Sequence, residues 1–128
     1  AVGHTTSPFM TIYSRSGDVF TKIADPAILP QNTAFSIDFN SDGTRMITGA
    51  SATTSVIQYS VSGDTFTALP ALPTISTSQT KITDYSAGSD YLLLSNIATP
   101  FMYIYKGGSI LPDIDVDTNN FVDAYIKT

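Results

Sequence analysis

The chain has 128 residues, 42% hydrophobic and 13% charged, which is apolar enough for a packed core and too weakly charged for a disordered segment. A net charge of −5 and a pI near 4.3 disfavour nucleic acid and acidic membrane surfaces as partners, because neutralising phosphates takes clustered Lys and Arg. Cysteine is absent, so packing, repetition or partner subunits must replace disulfides, and no apolar run approaches the ~20 residues of a membrane span.

Phe9–Ser14 alternates with a period of two, placing Phe9, Thr11 and Tyr13 on one face of a strand and Met10 and Ile12 on the other. Ser16-Gly17-Asp18 supplies a turn, and Val19–Ile23 follows as the second strand of a hairpin. The connection Ala24–Thr33 carries Pro26 and Pro30, which cannot donate to a strand ladder. Phe35–Phe39 and Arg45–Ala50 are the third and fourth strands, joined by the turn formers Asn40-Ser41-Asp42-Gly43-Thr44.

The same scheme then recurs. Ser55–Ser60, Thr65–Leu69, Lys81–Tyr85 and Asp90–Ser95 are expected strands, with Pro70 and Pro73 in the long connection. Tyr13-Ser14, Ser16-Gly17-Asp18 and Phe20-Thr21 fall on Tyr59-Ser60, Ser62-Gly63-Asp64 and Phe66-Thr67 at an offset of 46. Asp38-Phe39 falls on Asp84-Tyr85 at that offset, and Pro8-Phe9-Met10 on Pro100-Phe101-Met102 at 92, twice the period. One spacing kept over three copies is the mark of a repeat architecture. The units are counted as 1–46, 47–92 and a partial 93–106, followed by an acidic extension over 107–128. In the third unit the strand after Tyr105 is expected to be missing. Because the chain opens inside a unit, a longer parent polypeptide is expected.

Four short strands in about 46 residues is the size of a propeller blade, so the expected fold is all-β: tandem four-stranded antiparallel blades, about two and a half in the chain. So few blades cannot close a ring, which predicts missing upstream blades or several chains pooling theirs. Edges at Phe9–Ser14 or Phe101–Tyr105 would invite pairing with a neighbour, hence a homo-oligomer or a larger assembly.

Ser7–Tyr13, Arg15–Lys22, Ala24–Ala27 and Phe39–Thr44 together resemble the WD40-like propeller repeats of bacteriophage virion proteins and of some bacterial surface proteins. In those repeats, a hairpin like Ser7–Lys22 alternates with one built on a Phe-Ser…Asp-Gly-Thr turn. The second unit keeps Tyr59, Ser62-Gly63-Asp64 and Phe66-Thr67 but loses the Asp-Gly turn, and the third keeps Pro100-Phe101 and Ile104-Tyr105-Lys106. The resemblance implies a non-enzymatic structural or adhesive component of a phage virion, in a tail, fibre or head appendage. Its implied partners are other virion proteins, copies of itself, or a host-surface glycan or protein. The alternatives are a bacterial envelope or secreted propeller that binds a protein or glycan and, with least weight, a propeller glycan lyase or hydrolase.

Residue chemistry favours the non-enzymatic readings. His4 is the single histidine, and its repeat position holds Ala50 and Asn96 in the other units, so it is read as structural. Asp18 and Asp64 recur in one turn, and Asp38 and Asp84 beside one aromatic position, as turn caps or inter-strand hydrogen-bond acceptors would. No catalytic residue and no cofactor is expected. Asp113, Asp115 and Asp117 alternate in a way that permits a loose Ca²⁺ site, although Thr118 and Ala124 stand where an EF-hand loop wants Gly and Glu. Tyr13, Gly17, Asp18, Tyr59, Gly63, Asp64 and Tyr105 are structural repeat positions, leaving Tyr91, Tyr103 and Tyr125 as a candidate binding surface.

Overall fold

The computed structural model describes residues 1–51, 56–72, 80–85, 91–97, 102–106 and 109–110. It is all-β, with no helix among the described residues. The strands are β1 (Val2–Gly3), β2 (Met10–Thr11), β3 (Tyr13–Ser16), β4 (Val19–Lys22), β5 (Ala34–Phe39), β6 (Arg45–Ala50), β7 (Val56–Ser62), β8 (Thr65–Ala68), β9 (Thr80–Tyr85), β10 (Tyr91–Asn96), β11 (Met102–Lys106) and β12 (Ser109–Ile110). They form small antiparallel sheets. β5-β6-β7-β8 and β9-β10-β11-β12 are four-stranded meanders, and β1-β2 and β3-β4 are two-stranded pairs separated at Ile12.

The period is visible in the strands. A shift of 46 carries β3 onto Tyr59–Ser62 of β7, and carries β4, β5 and β6 onto β8, β9 and β10. Each four-stranded sheet takes its strands from both sides of a unit boundary, since β6 spans the 46/47 boundary and the breaks between sheets fall in the long connections. In Ser16-Gly17-Asp18-Val19, Ser16 pairs with Val19, and Gly17 alone of the two loop residues takes a positive φ, 59°. Ser62 pairs with Thr65 around Gly63, whose φ is 56°. Glycine first in a two-residue loop is the type II′ hairpin, whose twist matches that of the strands it joins.

Two expectations are corrected. Phe9 lies outside the strand: its φ of 64° turns the chain, and its N–H and C=O bond back to Thr6 and His4, so pairing starts at Met10. The third unit does keep a second strand, the two-residue β12, because Lys106 pairs with Ser109; an unbroken repeat would place that closure at 108 and 111. At the anticipated edges, β11 pairs with β10 along its length and with β12 at Tyr105 and Lys106, while β2 pairs with β1 and β3 with β4, one partner strand each among the described residues.

Strand alternation gives each sheet two faces. The front of the middle sheet carries Ile37, Met46, Thr48, Ile57, Tyr59, Val61 and Phe66, which the register places opposite one another in turn. It packs on Met10 and Ile12, with Ile23 and Leu29 closing the rim. The rear of the middle sheet presents Ile47 and Val56 to Leu92, Leu94 and Tyr105 on the front of the last sheet. The sheets are therefore stacked, rear to front, with β5 against β9 and β1 against β5.

Two glycines set the spacing. A Cβ on Gly3 would stand 2.7 Å from the carbonyl oxygen of Ala34, and one on Gly49 would stand 3.0 Å from that of Thr80. Gly3/Ala34 and Gly49/Thr80 are one contact displaced by the repeat period, so the rear-to-front approach is itself repeated.

Candidate functional site

His4 sits at the mouth of the β1–β2 hairpin. Its Nδ1 is 2.7 Å from the Thr6 carbonyl oxygen, which can only accept, so Nδ1 carries the proton. In the neutral ring Nε2 is then the acceptor for the Thr11 hydroxyl, 3.1 Å away. Both ring nitrogens are engaged in holding the turn, and a role as base or ligand would have to break one of these bonds.

Asp38 lies on the rear face, half-buried, and its Oδ2 accepts the Tyr85 backbone N–H at 2.8 Å. This is a bond between stacked sheets, from a carboxylate in β5 to the backbone of β9. The Asp18 carboxylate lies 3.8 Å from Arg15 in an exposed pair, and such pairs contribute little. The glycine makes that turn. Asp42 organises the β5–β6 turn by accepting the hydroxyl and backbone N–H of Thr44, and these bonds hold its carboxyl below the ordinary value. Asn40 completes the turn by accepting the Arg45 N–H. No group of three or more His, Asp or Glu side chains is placed to hold a metal ion among the described residues. Asp113, Asp115 and Asp117 lie outside them.

The three equivalent tyrosines differ sharply. Tyr59 is 0% exposed and donates to the Ile28 carbonyl at 2.9 Å, tying the proline-bearing connection over the core. Tyr105 is 1% exposed, and burial pushes its phenol up to about 12; Tyr59 is raised for the same reason. Tyr13 is 41% exposed.

Of the three candidate binding tyrosines, Tyr91 and Tyr103 fall on opposite faces of the last sheet. Tyr91 is opposite Lys106 on the rear of the last sheet, with the ammonium 5.3 Å from its ring centroid. Tyr103 pairs with Leu94 on the front and packs with Tyr105 toward the middle sheet. Tyr125 lies outside the described residues. An open recess of about 220 Å³ between β1 and β5 is lined by Gly3, Ala34, Phe35 and Ser36, with no carboxylate or imidazole on its walls.

Among the described residues, two sheet faces leave large apolar side chains exposed. The pairs β1-β2 and β3-β4, which run on through Ile12 and together form the first sheet, carry on their front Val2 and Phe20, 54% and 64% exposed, beside Tyr13, with the Arg15 guanidinium 5.8 Å from the Phe20 ring centroid. The rear of the last sheet carries Leu93 beside Tyr91. Neither face was singled out from the sequence, although the signal was present: Val2, Tyr13 and Phe20 sit at the repeat positions of Thr48, Tyr59 and Phe66. Comparison with models of known protein families, with curated proteins and with solved structures yields no match to this chain.

Proposed function

We propose that the chain is a non-enzymatic structural or adhesive component of a bacteriophage virion, made of propeller-like blades and acting through assembly and host-surface contacts. The observation that carries the scaffold part is the recurrence of one inter-sheet contact, Gly3 on Ala34 and Gly49 on Thr80, at the repeat period. Stacked joints of one kind give a stiff array that presents similar surfaces at regular intervals, and weak contacts to a repetitive target then add by avidity. The placement in a virion rests on the resemblance carried by Ser7–Lys22 and Phe39–Thr44. Asp38, which with Asp84 is one of the carboxylates a glycan-cleaving reading would draw on, accepts the Tyr85 backbone N–H, which fits a structural role.

Mass spectrometry of purified particles from a producing culture tests the proposal. Peptides of this chain at a fixed stoichiometry to other particle proteins are the expected result. Peptides confined to the bacterial envelope or the medium would replace this reading by an envelope or secreted propeller that binds protein or glycan.

A further inference from the structure

We propose that the β5–β6 turn is a guarded modification site: the Asp42-Gly43 peptide is where this chain forms isoaspartate, and Thr44 holds that reaction back while the turn is closed.

Asp42-Gly43 is the one Asp-Gly pair in the chain, and no Asn-Gly pair is present. Glycine has no Cβ to shield its own amide nitrogen, so that nitrogen reaches the preceding side chain more readily than any other residue's does. The reaction needs only water. The Gly43 nitrogen attacks Cγ of the protonated Asp42 carboxyl; the amide proton and the carboxyl hydroxyl leave as water, and a five-membered succinimide closes. Water then opens the ring at one of its two carbonyls. Opening at the side-chain carbonyl restores aspartate. Opening at the main-chain carbonyl leaves isoaspartate, whose backbone runs through Cβ and Cγ and is one carbon longer.

In the closed turn each participant is engaged. The Asp42 carboxylate accepts the Thr44 backbone N–H at 2.9 Å and also the Thr44 hydroxyl. The Gly43 N–H donates to the Asn40 carbonyl at 3.0 Å. Attack requires the Gly43 nitrogen to turn away from Asn40 and the carboxyl to become neutral, which weakens both Thr44 bonds, since a charged acceptor makes the stronger bond. The same bonds, that of the Thr44 hydroxyl first, keep the carboxyl below its ordinary value, so the reactive protonated form is scarce. Asn40, 7% exposed, anchors the arrangement: its Oδ1 accepts the Arg45 N–H at 2.8 Å, and its Nδ2 donates to the Thr44 hydroxyl at 3.2 Å. Thr44 thus ties the exposed carboxylate to a buried side chain.

The other turns lack the reactive order. Gly17-Asp18 and Gly63-Asp64 reverse it, and the β-branched Val19 and Thr65 follow their carboxylates. In the next unit, Ser86-Ala87-Gly88-Ser89 stands at the position of Asn40–Gly43, without Asn or Asp. An added backbone carbon between Asn40 and Arg45 would disturb the pairing of Phe39 with Met46, a 0% exposed core residue.

The test is to age the full chain at neutral pH and map its peptides by electron-transfer fragmentation, which distinguishes isoaspartate from aspartate. Isoaspartate should appear at Asp42 ahead of every other aspartate. Its formation should be about tenfold faster in guanidinium chloride than in the folded chain, the factor expected for losing one hydrogen bond to a charged group. Thr44→Val keeps the backbone N–H and removes the hydroxyl, so it should speed the reaction several-fold in the folded chain. Thr44→Ser should restore the slow rate, and in guanidinium chloride all three chains should age alike. Far-UV circular dichroism checks that each variant is folded. Equal rates in the folded and denatured chain overturn the guard, and first appearance at another aspartate overturns the site. A folded Thr44→Val that ages at the parent rate, or a Thr44→Ser that ages as fast as Thr44→Val, overturns the assignment to Thr44. The comparison with guanidinium chloride needs no variant, so it decides even where Thr44→Val fails to fold.

Discussion

The first and middle sheets share a tyrosine and a phenylalanine at equivalent front positions, Tyr13/Tyr59 and Phe20/Phe66, yet they bury them to different degrees. Tyr13 and Tyr59 are the same residue in equivalent hairpins, each three residues before a Ser-Gly-Asp turn, and their exposures are 41% and 0%. The hairpin does not determine whether its tyrosine belongs to a core. The neighbouring unit does, because each sheet buries its front by borrowing the rear of the one before it. This is the energetics of a quasi-one-dimensional array, in which a unit's own stability and the joint to its neighbour are separate contributions.

The largest test of that separation is a paired truncation. Tyr59→Ala removes a fully buried ring and its bond to Ile28, and should cost about 3–5 kcal/mol in denaturant unfolding. Tyr13→Ala, on the uncovered face, should stay within about 0.5 kcal/mol at concentrations where the chain is monomeric. Equal losses would mean that the two tyrosines have equivalent surroundings in solution, which would contradict the uncovered face.

The joints are probed next. Gly49→Ala and Gly3→Ala drive a Cβ toward a backbone carbonyl of the adjoining sheet, at Gly49 also toward the Ser36 hydroxyl of its own sheet, and each should cost about 1–3 kcal/mol. The thermal midpoint should fall for both. An unchanged midpoint for either would mean that the sheets do not approach as closely there.

Alkali distinguishes the covered tyrosines by charge. Burial raises the Tyr105 phenol from 10.0 to about 12 and also raises Tyr59. A folded-state pKa above the unfolded one means that this contribution to stability is fully present below pH 10. It is lost as pH rises from 10 toward 12 for Tyr105. Absorbance at 295 nm should show late-titrating phenolate whose amplitude falls in Tyr105→Phe. A titration curve unchanged by that substitution would sink the assignment.

Asp38→Ala removes the acceptor for the Tyr85 N–H between β5 and β9 and should cost about 1–2 kcal/mol, the group being half-buried. Asp38→Asn keeps an oxygen in place and should lose less. If both cost nothing, the second joint does not depend on this bond.

Much of this was legible in the residues, for identifiable reasons. Hairpins and strand periods are local, so Arg45–Ala50 matches β6 end to end, and the Gly17 and Gly63 turns follow from what positive φ requires. Phe9 was misplaced because a period-two pattern cannot distinguish a residue in a strand from one in the turn that leads into it. The grouping of strands into sheets was out of reach, because a period has no phase: counting units from residue 1 says nothing about which hairpins share a ladder. The site suffered most. Tyr91 and Tyr103 have the same composition signal, and the register that puts them on opposite faces becomes visible with the β10–β11 pairing.

The smallest predicted effect is a gain. Thr48 is 0% exposed, and its Oγ1 has no hydrogen-bond partner among the described residues. The repeat places Val2 and Leu94 at the same position, so an apolar side chain is compatible with the unit there. Valine keeps the branched shape and strand preference of threonine while removing a hydroxyl that has lost its water without gaining a partner. Thr48→Val should therefore raise stability by about 1 kcal/mol. The reverse exchange, Val2→Thr on the uncovered front, should shift it by no more than about 0.5 kcal/mol, since that hydroxyl stays hydrated. Thermal melts of the two variants measure both shifts. A loss in Thr48→Val would show that the hydroxyl is bonded after all, and the contrast between covered and uncovered faces would no longer explain the pair.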